Sequence, residues 1–169
     1  LPFYKFGDAI YLAKIETKYW IEYICKRFEN TGKHISPELA EEICRLVDNH
    51  SSYVQQLSWL LWIRTINTAT TEQLSYALED LLDQNNILFQ SETENLSAYQ
   101  MNFLKAIVDG IHTKFSSKEV ISKYNLGTSA NIVRLKNALL QKELIETNGK
   151  EIVLADPVFG VWFKKEMLY

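Results

Sequence analysis

Apolar positions recur at three- and four-residue intervals along most of the chain, which is the period of an amphipathic helix. The first such stripe contains Tyr19, Trp20, Tyr23, Ile24 and Phe28. A second helix is predicted to begin with Ser36 as the N-cap and Pro37 as the first helical residue. A third helix carries Trp59 and Trp62 outside its main stripe, which is typical of the central helix of a bundle. Thr70 to Gln73 then forms a capping-box pattern that predicts a fourth helix.

The pattern changes after the polar segment 90–95. Three shorter helices are predicted there, and Ser116 to Glu119 forms a further capping-box pattern before the second of them. Two β-prone runs then flank Asn148 and Gly149, and this pair is a strong short-range signal for a β-hairpin. Three helices with a short turn between the last two, closed by a hairpin, predict a winged helix-turn-helix.

The predicted fold class is therefore mainly α, a helical bundle followed by a winged helix-turn-helix domain with a small β-hairpin. We place the first domain at residues 1–90, with a short extended segment at its start, and the second at residues 96–169. The charge supports this division. Residues 1–95 hold 8 Lys and Arg against 14 Asp and Glu, a net charge of −6, whereas residues 96–169 hold 10 against 7, a net charge of +3.

The composition indicates a folded chain. Hydrophobic residues make up 47% of the 169 and charged residues 23%, which is enough apolar material for packed cores. No apolar run approaches the roughly 20 residues that span a bilayer, so we expect no membrane segment and a cytoplasmic location. Lys5 and Asp8 interrupt the apolar start, which argues against a signal peptide. Because the chain begins with Leu1, we interpret it as an excised fragment.

The sequence contains no recognisable catalytic motif. A phosphate-binding loop requires Gly-x-x-x-x-Gly-Lys-Ser/Thr, but around Gly32 and Lys33 the first Gly is replaced by Arg27 and the Ser/Thr by His34. Gly32 is better interpreted as the end of a helix. We therefore predict that this chain is not an enzyme.

Metal or redox chemistry is not indicated either. The histidines lie far apart in predicted inter-helix segments and have no metal-ligand spacing: His34, His50 and His112. The two cysteines, Cys25 and Cys44, fall inside helical stripes without a Cys-x-x-Cys pairing. We interpret them as small buried hydrophobic residues and expect no metal.

One helix of the second domain could contact nucleic acid or a protein. If Ile132, Leu135 and Leu139 face inward, polar side chains remain on the outer face and at the hairpin tip. These candidate contact residues are Ser129, Asn131, Arg134, Asn137, Gln141 and Lys150. Duplex affinity depends on neutralising several phosphates, and a net charge of +3 is modest, so a protein contact is favoured over DNA. A continuous positive stripe would reverse that preference.

Three segments in order resemble the C-terminal half of a known family. Residues 2–12 look like its passage from the nucleotide domain into a helical lid, and residues 156–163 look like its ending after the wing. Residues 50–57 are similar to a lid motif, Gly-His-Pro-x-Tyr-x-Gln-x-Leu, with Asn49 in place of Gly and Ser51 or Ser52 in place of Pro. The family is the archaeal/bacterial ATPases, a branch of the STAND-type and AAA+-like P-loop ATPases.

The resemblance implies that residues 1–90 are a lid and that the whole region belongs to a switch-like ATPase. ATP and Mg²⁺ would then be held by an N-terminal P-loop domain, which would be a partner of this region, and this chain would hold no cofactor of its own. By position, His50, Tyr53 and Gln56 are candidates for facing that nucleotide domain. The function implied is a non-catalytic regulatory and interaction region that couples nucleotide state to a partner.

A different class of function is also open. The chain could be a winged-helix DNA-binding protein, similar to a transcription regulator, whose helical half serves for dimerisation. An exposed aromatic patch around Phe3, Tyr4 and Phe6 would favour the ATPase region. A positive stripe along residues 129–141 and the wing would favour the DNA-binding protein.

Overall fold

The computed structural model describes residues 14–167, which divide into two compact units between Thr70 and Thr71. In the first unit the helices are α1 (Thr17–Glu29), α2 (Pro37–Leu46) and α3 (Ser51–Arg64). The second unit comprises α4 (Thr71–Glu94), α5 (Ala98–Val108), α6 (Lys118–Tyr124), α7 (Ser129–Gln141), β1 (Ile145–Asn148), β2 (Glu151–Leu154) and α8 (Pro157–Met167). The predicted aromatic patch at residues 3–6 lies outside the described residues. No helix in the described range is long and apolar enough to cross a bilayer.

The first unit is a three-helix bundle whose helices each bury one apolar face. Its core consists mainly of Trp20, Ile24, Phe28, Leu39, Ile43, Val54, Leu57 and Leu61. The predicted start of α2 is confirmed, because the Ser36 side chain accepts a hydrogen bond from the Leu39 amide at 3.2 Å. This bond satisfies a backbone donor that the helix itself cannot pair.

The second unit has an aromatic core between α4 and α8. The Phe89 ring lies 5.4 Å from Phe159 and 5.6 Å from Trp162, measured between ring centroids. The Trp162 indole donates a hydrogen bond to Asn86 Oδ1 at 2.8 Å. Long α4 is therefore fixed along its second half by a helix that comes about 70 residues later in the chain.

The division between the units differs from the one expected at residues 90–95. That polar segment does not leave the helix, since α4 continues to Glu94. The Thr93 hydroxyl donates to the Phe89 carbonyl at 3.0 Å, so it bonds within its own helix. Burial of Phe89 against α8 holds this part of α4 in the second unit.

The winged part of the second unit combines α5, α6, α7 and an antiparallel hairpin. Strands β1 and β2 pair with each other so that Ile145 lies opposite Leu154 and Asn148 lies opposite Glu151. The two central turn residues are therefore Gly149 and Lys150, one position later than the Asn-Gly signal. Gly149 has a φ of +61°, the left-handed conformation that a two-residue hairpin turn of this kind takes at its first central position.

One predicted helix start is wrong in detail. Ser117 caps α6 by accepting from the Val120 amide at 3.3 Å, but Val120 stands where a capping box needs Glu or Gln. A complete capping box lies at the start of α5. There, Ser97 accepts from the Gln100 amide, and the Gln100 side chain accepts from the Ser97 amide at 2.8 Å.

Replacing Glu92 by Gln is expected to stabilise the second unit at neutral pH by less than about 1 kcal/mol. Burial raises the pKa of the Glu92 carboxyl above its usual range, and the nearby Asp156 carboxylate raises it further. The ionised side chain therefore destabilises the folded unit above the raised pKa. This destabilisation disappears below the pKa of the Glu92 carboxyl in the unfolded chain, which is about 4.3.

Urea unfolding of the wild type and the Glu92→Gln variant between acidic and neutral pH measures this difference. The advantage of the variant should shrink as the pH falls. Glu94→Gln removes the same charge from an exposed position in the same last turn of the helix, so it is the control for effects other than burial. An equal gain from both substitutions would contradict the explanation by burial.

Candidate functional site

The turn between α2 and α3 has an unusual backbone that positions His50. Asp48 and Asn49 both adopt left-handed conformations, with φ of 47° and 54°. The Asn49 side-chain amide Nδ2 donates to Thr17 Oγ1 at 3.0 Å, and Lys14 forms an ion pair with Asp48 at 2.6 Å. Asn tolerates the left-handed region better than most residues. Asn49 therefore supplies a conformation that Gly readily adopts in the lid motif that this segment resembles.

The three residues predicted to face a nucleotide domain lie on the first two turns of α3 or just before them. The His50 ring lies 4.8 Å from the Tyr53 ring, so the structure brings these two side chains together. The Gln56 side chain is exposed and donates to Ser52 Oγ at 2.9 Å on its own helix. Their contact with a nucleotide domain stays a prediction.

Replacing Asn49 by Ala is expected to lower the free energy of unfolding of the first unit by about 1–2 kcal/mol. Ala is strained at a φ of 54° and cannot hydrogen-bond Thr17. Asn49→Gly also loses the hydrogen bond but adopts the conformation freely. In chemical denaturation the Ala variant should therefore be the less stable of the two, with Thr17→Ala reporting the hydrogen bond alone. Equal stability of the Ala and Gly variants would show that backbone conformation is not important here.

A second feature of the first unit is an open groove between α1 and α3, with a volume of about 360 Å³. Its aromatic lining includes Trp59, which is 56% exposed despite its size. The lining residues are Tyr23, Ile24, Arg27, Phe28, Asn30, Thr31, Gln55, Ser58, Trp59 and Trp62. None of the three predicted nucleotide-facing residues is among them. The sequence analysis did not predict this groove, although the apolar residues around much of the circumference of α3 indicated an exposed apolar face.

Two cations lie against the aromatic rings of this groove. Lys33 Nζ is 3.9 Å from the centroid of the Trp62 ring and donates to the Trp62 carbonyl at 2.7 Å. The Arg27 guanidinium lies 5.3 Å from the Tyr23 ring and donates to the Tyr23 hydroxyl at 3.2 Å. Both contacts hold positive charge over an aromatic face. Gly32, with a φ of 74°, lies in the turn that ends α1, as the sequence predicted.

In the second unit, the predicted contact residues line up along α7 and the wing. Ser129, Arg134, Asn137, Gln141 and Lys150 are exposed. Asn131 is half-buried, and its side chain donates to the Leu126 carbonyl at 3.1 Å. Asn131 therefore fixes the turn between α6 and α7, whereas the other five remain accessible.

The electrostatics of this surface are mixed. Val133 is 62% exposed beside Arg134 on α7, so an apolar side chain interrupts the polar face. The hairpin that carries Lys150 also carries the exposed acidic residues Glu146 on β1 and Glu151 on β2. A continuous positive stripe is therefore absent from α7 and this hairpin.

The cysteines have the environment expected of small hydrophobic residues. Burial raises the pKa of the Cys44 thiol to about 11 and also raises the pKa of Cys25. Because the thiolate is the reactive form, neither side chain is activated as a nucleophile. Within residues 14–167, no group of three or more His, Cys, Asp or Glu is arranged to hold a metal ion.

The second unit can be assigned to a class of domain. Residues 87–165 match the model of a family described as a probable winged helix domain. This match extends from the second half of α4 into α8 and includes the hairpin. The predicted fold class, mainly α with a small two-stranded hairpin in a winged helix, is confirmed.

The fold is also similar to that of a Walker-type ATPase of Pyrococcus abyssi, whose structure is solved. The similarity has a TM-score of 0.66 at 18% sequence identity, and it covers 89% of this chain and 42% of the other. At this identity, the likeness concerns the fold alone. This chain therefore spans less than half the length of the ATPase. No curated protein matches the sequence.

Proposed function

We propose that this chain is the non-catalytic interaction region of a P-loop ATPase and that it couples the nucleotide state of a separate domain to a partner. The observation that carries the proposal is the fold likeness, which takes in 89% of this chain but only 42% of a Walker-type ATPase. A phosphate-binding loop is absent from the sequence. ATP and Mg²⁺ would then be held by another domain of the same protein.

The proposed mechanism is a shift between two arrangements of the first unit. A lid that contacts bound nucleotide in only one arrangement binds the two states with different affinity, and this difference shifts their populations. His50 and Tyr53 are suited to such a contact because they follow a turn held by two tertiary interactions. Those interactions are the Asn49–Thr17 hydrogen bond and the Lys14–Asp48 ion pair.

The first test concerns ATP. The coding sequence upstream of Leu1 is expected to encode a Gly-x-x-x-x-Gly-Lys-Ser/Thr loop, and the purified chain alone is expected to hydrolyse no ATP. In the protein that includes the upstream domain, His50→Ala and Tyr53→Ala should each weaken ATP binding several-fold. Thr147→Ala in the wing is the control and should leave it unchanged. Hydrolysis by the isolated chain, or the lack of an upstream loop, would overturn the proposal.

A second candidate, duplex DNA binding, is favoured by the winged helix domain and by three exposed polar residues on α7, Arg134, Asn137 and Gln141. The mixed charge of this surface makes it the weaker candidate. Fluorescence anisotropy with a labelled duplex at about 50 and 200 mM salt distinguishes the two, because phosphate contacts make affinity fall steeply with salt. We expect no such binding. Steeply salt-dependent binding that Arg134→Glu abolishes would establish DNA as the partner.

A further inference from the structure

The groove between α1 and α3 extends beyond the cavity described above. An adjoining hollow is lined by Ile15, Tyr19, Trp20, Tyr23 and Gln55, and it shares Tyr23 and Gln55 with the first. Tyr19, Tyr23 and Arg27 follow one another at four-residue spacing on α1, so they form one stripe along the groove, and Ile15 precedes the first residue of the helix. At about 1.5 Å per helical residue, the stripe from Tyr19 to Arg27 is about 12 Å long. That length matches about two turns of a helix.

The exposed apolar area along this groove is unusual for a surface. Tyr19 is 55% exposed, and Tyr23 and Ile15 are exposed to a similar degree. With Trp59 on the opposite side, two helices present large apolar side chains to the same open channel. In a bundle of three helices, this is the place where a fourth helix would cover the first and third.

Two basic side chains lie at one end of the groove, whereas Lys18 at the other end is paired with Glu16. Arg27 is the one charged residue among the described lining residues, and Lys33 lies over the ring of Trp62 at the same end. None of the described lining residues is acidic. At the other end, the buried Trp20 indole N–H has no hydrogen-bond partner among the described residues. An occupant with carboxylates at one end and apolar residues along one face would complement this groove.

We propose that this α1–α3 groove binds an amphipathic helix of a partner protein. Apolar residues of that helix, spaced at i, i+4 and i+7, would cover Tyr19, Tyr23 and Trp59. Carboxylates at one end would meet Arg27 and Lys33. The inference does not depend on the proposed ATPase function, because the groove is formed within the first unit alone.

A synthetic peptide pair provides the probe. The acidic peptide is an Ala-based helix of about 16 residues, long enough for partial helicity in isolation. It carries Leu and Phe at i, i+4 and i+7 and three Glu in one terminal turn. The matched peptide has Lys in place of these Glu. Titration followed by tryptophan fluorescence and by amide chemical shifts should show at least tenfold tighter binding of the acidic peptide, with shifts confined to α1, α3 and the loop at Lys33.

Matched variants of the full chain locate the binding. Arg27→Glu should weaken binding of the acidic peptide at least tenfold. Lys26→Glu makes the same charge change one residue earlier, outside the lining, and should have little effect. Trp59→Ser should also weaken binding at least tenfold, whereas Ile66→Ser, which removes an even more exposed apolar side chain elsewhere in the unit, should not. Circular dichroism confirms that each variant is folded.

Several outcomes would overturn the inference. These are no measurable binding of the acidic peptide, equal affinity for the two peptides, or equal effects of Arg27→Glu and Lys26→Glu. Concentration-dependent dimerisation that Trp59→Ser abolishes would identify a second copy of the chain as the occupant instead. Binding of single-stranded oligothymidine with the same shifts would replace the helix by nucleic acid.

Discussion

Replacing Phe89 by Ala is expected to lower the free energy of unfolding of the second unit by about 3–5 kcal/mol. The Phe89 side chain is buried against Phe159 and Trp162, with ring centroids 5.4 and 5.6 Å away. Its removal forfeits apolar burial and leaves a cavity that the packed α4 and α8 cannot fully close. Urea unfolding followed by circular dichroism measures the loss.

The control is Ile87→Ala, two residues earlier on the same helix. Ile87 is 83% exposed, so its truncation should change stability by less than about 0.5 kcal/mol.

Amide exchange tests where the boundary between the two units lies. Phe89→Ala should speed exchange in α4, α5 and α8 while α1 to α3 keep their protection. Faster exchange in α1 to α3 would mean that Phe89 belongs to the first unit, as the sequence-based boundary at residues 90–95 implied.

That boundary shows a limit of arguing from local composition. Residues 90–95 are polar, and a polar segment between apolar stripes resembles a linker. What keeps the segment helical is the contact of Phe89 and Asn86 with α8, a helix that comes about 70 residues later. Periodicity over a short window cannot detect a partner so distant in sequence.

The groove illustrates a second limit. In the first stripe, the spacing of Tyr19, Trp20, Tyr23 and Ile24 does not show which residues face the core, because consecutive apolar positions cover a wide arc of a helix. The structure buries Trp20 and Ile24 and exposes the two tyrosines. The choice depends on where α2 and α3 pack, which is tertiary information. A local sequence signal was reliable where the interaction itself joins residues close in sequence, as in the hydrogen bond of the Ser36 cap.

The surface of α7 was predicted in part. The stripe of Ile132, Leu135 and Leu139 correctly predicted which face is buried, and therefore which polar residues are outward. The exposure of Val133 and the use of Asn131 in the preceding turn were not predictable from that stripe. Both depend on how α7 packs against α5 and β1.

Replacing Gly127 by Val is expected to destabilise the second unit by about 2–3 kcal/mol. Gly127 adopts a φ of +84° in the turn between α6 and α7, where a β-branched residue is strongly strained. A Cβ there would also lie 3.3 Å from the side-chain Nδ2 of Asn131 and 3.5 Å from the Tyr99 ring. Because Asn131 Nδ2 donates a hydrogen bond to the Leu126 carbonyl and so fixes the turn, displacing it loosens the start of α7.

Gly110→Val separates the two causes. Gly110 has a similar φ of +91°, but a Cβ there meets nothing within 4 Å. It should therefore show the backbone strain alone, and Gly127→Val should be less stable by about a further 1 kcal/mol in thermal and urea unfolding. Amide exchange at the start of α7 should rise in the Gly127 variant only. Equal losses for the two variants would mean that close packing of the turn contributes nothing, and that the outward face of α7 is positioned by its buried stripe alone.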